Sequence, residues 1–146
     1  MEKVKKRNPV IVLQLSLRFA KEYFKMLCEM QKAYTTDAIQ ESKKLTIIQR
    51  ALWTSLIIEI ARLFDTYEGK NKKVISFKKI GLLKEDIDNI HGEAIIGEII
   101  NTRKTFTAHW GEEKNKVVTV AEICNSKLEK ILNNLDNLLK EHQNYI

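Results

Sequence analysis

From the cluster Thr35, Thr36, Asp37 to Gly69 the chain offers neither glycine nor proline. Nothing in that stretch supplies the freely positive φ or the missing amide that most often stops a helix. Within it residues 45–64 read LTIIQRALWTSLIIEIARLF, apolar on nearly every side. A helix of that kind persists only where other helices, or a second subunit, surround it. The whole chain repeats this shortage, with five Gly and one Pro in 146 residues, too few for the turns of an all-β fold. An all-α fold is therefore expected.

Helix boundaries follow from local signals. Asn8 before Pro9 makes a start, because Asn accepts an orphan amide and Pro at the first helical position has none to satisfy. Ile11, Leu15, Phe19, Tyr23, Met26, Leu27 and Met30 then recur at three and four, predicting one helix over about residues 9–33. The Thr35, Thr36, Asp37 cluster caps a second, central helix running on through residues 45–64, in which Glu59 and Arg62 are spaced to pair. Residues 66–82, with Gly69, Gly81 and five lysines, are expected to form the one substantial loop, carrying a short apolar element near Val74 to Phe77.

A short helix over 84–90 should stop at Gly92, and another over 93–110 at Gly111. Thr119 and Glu122 have capping-box spacing, and from there Val120, Ile123, Cys124, Leu128, Ile131, Leu135, Leu138 and Leu139 predict one helix almost to the C-terminus. The expected architecture is a single domain over residues 1–146, a mainly antiparallel bundle of four major helices plus a short helix. The apolar belt of the second helix is expected to serve as core and as a homodimer interface.

Several function classes drop out. No run of about 20 apolar residues is present for a membrane span. The basic then apolar N-terminus is interrupted by Gln14, Ser16 and Arg18 and lacks a signal-peptide cleavage site, so a cytoplasmic protein is expected. Cys28 and Cys124 fit neither a zinc-ligand spacing nor a disulfide framework and are expected to be buried thiols. Phosphate-cradling glycine loops, HExxH and GxSxG are missing. The net charge of +6 and a pI near 9.3 favour an anionic partner such as nucleic acid. Part of that excess lies in Lys3, Lys5, Lys6 and Arg7 and in Lys70, Lys72, Lys73, Lys78 and Lys79.

Of three histidines, His91 and His142 read as solvated groups or as cations at helix C-termini. His109 stands apart in NTRKTFTAHWGE, preceded by Asn101, Thr102, Arg103, Lys104, Thr105 and Thr107. Histidine moves protons near neutral pH, and Arg103 can hold a phosphate in a planar fork of donors. Together they could cleave RNA without a metal or other cofactor: the ribose 2′-hydroxyl attacks the adjacent phosphate, His109 serves as general base or acid, and Arg103 stabilises the developing charge. A separation of six turns roughly 120° around a straight helix, so the pair converges only at a helix end, a kink or a second subunit; Thr102 and Thr105 align better with His109.

An Arg followed within a few residues by a His, in an otherwise plain helical bundle, resembles the HEPN superfamily (higher eukaryotes and prokaryotes nucleotide-binding). Residues 51–69, ALWTSLIIEIARLFDTYEG, followed by NTRKTFTAHW resemble its phage abortive-infection branch, in which an "RLFD"-like helix end accompanies an "RNK..AH" segment. The resemblance is clearest over about residues 45–112. It implies an often dimeric bundle whose Arg and His pairs line a shared cleft for RNA, tRNA included, and it makes Arg103 and His109 the catalytic pair. Asn101, Thr102, Lys104 and Thr105 are the candidate substrate contacts, and Asp65 and Arg62 the supporting residues.

This chain carries Lys104 where the family has a small polar residue, often Asn. It has Gly111 where members silenced by a nucleotidyltransferase have a Tyr, so that mode of regulation is not expected. An RNase or RNase toxin of phage defence, or of a toxin–antitoxin pair with an antitoxin protein as partner, is the leading expectation. The alternatives are a non-catalytic helical module binding RNA, a nucleotide or a partner protein, and an interaction subunit that dimerises through the second helix.

Overall fold

The computed structural model describes residues 8–65, 68–69, 72–73, 75–80, 83–106 and 117–144, and the fold is all-α. Four long helices dominate: α1 (Pro9–Ala33), α3 (Lys43–Leu63), α6 (Ala94–Thr105) and α8 (Leu128–Asn144). Between them lie the short α2 (Thr36–Glu41), α4 (Phe77–Ile80), α5 (Lys84–His91) and α7 (Val120–Cys124). Two-residue strands β1 (Glu68–Gly69) and β2 (Lys72–Lys73) pair antiparallel inside the expected loop, with Glu68 opposite Lys73.

α1 starts as its sequence dictates, with the Asn8 side chain accepting from the Val10 amide at 3.0 Å and Pro in the first turn. The central helix departs from expectation. Thr35 caps α2, but Ser42 then turns extended (φ −99°, ψ 113°) and its hydroxyl accepts from the Leu45 amide at 3.1 Å, starting α3 afresh. A serine side chain offers the backbone an alternative partner to the helix ladder, and Thr46 closes the corner by donating to the Ile39 carbonyl at 2.7 Å.

The expected C-terminal helix breaks for the same reason. Thr119 accepts from the Glu122 amide at 3.2 Å as predicted, yet Ser126 donates to the Ile123 carbonyl and accepts from the Leu128 amide, separating α7 from α8. α5 stops at Gly92 in ordinary right-handed geometry (φ −73°), so the stop comes from Glu93 turning extended and not from glycine's conformational freedom. Before α5, Leu83 adopts a left-handed φ of 53°, a strain of about 1 kcal/mol that packing against the core offsets.

One core joins these elements, with Leu13, Leu17, Leu27, Leu56, Ile57, Ile60, Ile96, Ile99, Leu135 and Leu139 all out of solvent. α1 packs along α3 and α8, and α3 packs along α6. Lys21 meets Asp136 and Cys28 meets Cys124, so the numbers fall along α7 and α8 as they rise along α1, and the directions are antiparallel. Trp53 meets Phe106, while Ala61 and Ile100 line one cleft, and this gives the same relation for α3 and α6.

The apolar belt of α3 is buried only toward its C-terminal half, at Leu56, Ile57, Ile60 and Leu63. Ile47, Ile48 and Ile58 are exposed, as are Ile11, Leu15, Phe19 and Met26 along α1. No described helix is long and apolar enough to cross a membrane.

Candidate functional site

The ends of three helices and the start of a fourth bring four cations and a histidine into one cleft of about 810 Å³. Arg62 comes from the last turn of α3, Arg103 and Lys104 from the last turn of α6, and His91 from the last turn of α5. Partial negative charge at a helix C-terminus favours positive side chains there, which is the local reason these positions tolerate them. Lys78 enters from α4, held by the fully buried Phe77 beside it and by Ser76, whose hydroxyl donates to the Asp65 carbonyl at 2.6 Å. Ile58, Ala61 and Ile100 supply an apolar wall.

Two of these cations are weakly neutralised. Arg62 approaches Glu59 only to 4.0 Å with about half its side chain in solvent, and Lys78 reaches Asp88 at 3.9 Å. Neither pair reaches hydrogen-bonding distance, so neither contact fixes its cation in one position. Among the described residues, Asp65 is the one carboxylate lining the cleft.

His91 lies stacked on the buried Phe64, with ring centroids 5.4 Å apart and planes inclined by 14°. Burial, reinforced by the Lys78 ammonium and opposed by Asp88, holds the imidazole below its ordinary value of 6.5. At neutral pH the ring is therefore mainly uncharged and able to accept a proton.

The residues singled out in the sequence separate here. Arg103, Lys104, Arg62 and Asp65 share the cleft. Thr102, one position before Arg103, is fully buried; its hydroxyl donates to the Glu98 carbonyl at 2.8 Å and accepts from the Val118 amide at 2.9 Å. Those bonds tie the chain after the site back onto α6. Thr105 donates to the Thr102 carbonyl at 2.6 Å and lines a separate pocket with Arg50 and Trp53, while Asn101 is exposed. His109, Thr107 and Gly111 lie outside the described residues, as do Lys3, Lys5, Lys6, Arg7 and Lys70.

Sequence reasoning placed His91 as a solvated group or a helix-end cation, not in a site, and gave Lys78 no role beyond a charged loop. Their signals, a histidine at a helix end and a lysine beside an apolar pair, are too common to single out; only the packing of α4 and α5 beside α3 gives them meaning. No protein-family model, curated protein or solved structure matches this chain.

Proposed function

We propose that this chain is a HEPN-like helical domain that cleaves RNA without a metal, acting in the cytoplasm as an RNase or RNase toxin in phage defence or a toxin–antitoxin pair. The observation that carries this reading is the gathering of Arg62, Lys78, Arg103 and Lys104, from three helices, around one cleft. Arg103 is half-buried, so its guanidinium meets a phosphodiester in a medium where charge interactions are stronger than in water. It stabilises the charge that develops as the ribose 2′-hydroxyl attacks phosphorus. His109 moves the proton, and Lys104, Arg62 and Lys78 hold flanking phosphates. Asp65 braces the end of α3 beside them. A homodimer joining two such clefts, tRNA as a substrate, and a small antitoxin protein as inhibitor belong to the same proposal.

A second reading rests on the cleft's dimensions. A volume of about 810 Å³ with an apolar wall and a cationic rim suits a nucleotide, so a non-catalytic module binding RNA, a nucleotide or a partner protein is the alternative. Cleavage of total cellular RNA, tRNA included, by wild type and His109→Ala in the presence of EDTA separates the two. Specific fragments from wild type alone support the RNase. RNA left intact by both, with binding retained, favours the module.

A further inference from the structure

Cys28, in the last turns of α1, and Cys124, the last residue of α7, are 96 positions apart, yet their sulfur atoms lie 2.7 Å from one another. Both are free thiols and both are half-buried, not sealed in the core. The separation is longer than a covalent sulfur–sulfur bond of about 2.05 Å and much shorter than ordinary contact, so closing the bond needs only a small approach. A hollow of about 330 Å³, walled by Lys21, Lys25 and Lys32 and by Glu22, Glu29 and Glu129, opens beside Cys28.

We infer that Cys28 and Cys124 are a site of reversible oxidation, forming an intramolecular disulfide by exchange with a small disulfide of the glutathione class. Burial, followed by the hydrogen bond and charge of Cys28, pushes the Cys124 thiol up to about 12. Cys28, which lines the hollow where Cys124 does not, attacks first. Cys28 releases its proton and its sulfur bonds to one sulfur of oxidised glutathione, whose own bond breaks, and the departing glutathione thiolate takes up a proton. Cys124 then gives up its proton and attacks the Cys28 sulfur, expelling the second glutathione as a thiol. Two protein thiols are oxidised and one molecule of glutathione disulfide is reduced to two of glutathione. The product fastens α1 to α7 and encloses α2 to α6 in a single covalent loop, which restricts the unfolded chain more than the folded one.

The test is to equilibrate the full chain with graded ratios of oxidised to reduced glutathione, quench with an alkylating agent and map the products by mass spectrometry. The expected result is one cross-linked pair containing Cys28 and Cys124, a rise in Tm of about 10 °C, and full reversal by dithiothreitol. Cys124→Ser should instead stop at a glutathione adduct on Cys28. Wild-type mapping decides the matter even where that variant fails to fold. Two thiols that still alkylate under oxidising ratios, or disulfides found only between chains, overturn the inference.

Discussion

The cleft bounded by α3, α5 and α6 collects Arg62, Lys78, Arg103 and Lys104 against the carboxylate of Asp65, whereas the hollow between α1 and α8 sets Lys21, Lys25 and Lys32 against Glu22, Glu29 and Glu129. The second region mixes acids with its cations, and beside it Lys21 and Lys140 both hold Asp136, at 2.9 and 3.1 Å. Such a surface is close to neutral and draws no ion strongly. Cations gathered around the first repel one another, and an arriving polyanion relieves that repulsion while shedding its own counterions. Among the described residues, then, positive charge is unevenly placed between these two regions, and its concentration favours the α3 and α6 cleft for an anion.

The sharpest way to break this contrast is Arg103→Ala, which on the proposed RNase reading should lower the rate of RNA cleavage by about 10² to 10³, as loss of one preorganised donor to a developing charge does. Single-turnover cleavage measures it, and a rate within a few-fold of wild type removes Arg103 from the chemistry.

Thr102→Val tests whether the neighbouring hydroxyl is architectural. Orphaning the buried Val118 amide should cost about 1–3 kcal/mol in urea unfolding, because that donor loses its bond at 2.9 Å. Equal stability would return Thr102 to the candidate RNA-binding residues.

Charge placement itself is read by salt. Replacing Lys78 and Lys104 with Gln should flatten the slope of log affinity for single-stranded RNA against log salt by about 0.7 for each phosphate no longer neutralised, while Lys25→Gln with Lys32→Gln leaves the slope alone. Equal effects of the two pairs would erase the distinction between the regions.

The smallest effect is expected on the balanced side. Burial alone would raise the Asp136 carboxyl, but the hydrogen bonds from Lys21 and Lys140 outweigh it and hold the group below its ordinary 3.8. A depressed carboxylate stabilises the fold above its unfolded value, and the contribution is lost as pH falls through the folded value. Asp136→Asn should therefore cost about 1 kcal/mol or less at neutral pH, and the difference from wild type should close in acid, as followed by urea unfolding across pH. A gap that persists at low pH would assign the effect to packing.

The parts of the fold visible in the sequence are those governed by contacts three or four residues apart. Asn8 and Pro9 start α1, the period of Ile11 to Met30 carries it, Thr119 caps α7, and Glu59 pairs loosely with Arg62. Ser42 and Ser126 were equally local, yet they lie inside apolar periods that continue across them, so the breaks they make could not be told from solvent-facing serines in intact helices. For the site, Arg103, Lys104, Arg62 and Asp65 stood out in the sequence and share a cleft, while Thr102 stood out on spacing and is turned into the core.

By itself, then, the sequence determined that the chain is helical and where most helices begin, because capping and periodicity act within one or two turns; it carried the helix over 93–110, whereas α6 ends at Thr105 and so sets Arg103 and Lys104 in its last turn. Tertiary structure alone decided that His91 stacks on Phe64 in the company of Lys78, and that Cys28 meets Cys124 across 96 positions. Those meetings depend on how several apolar faces bury one another at once, and burial is nondirectional, so no local pattern encodes which distant side chains it will bring together.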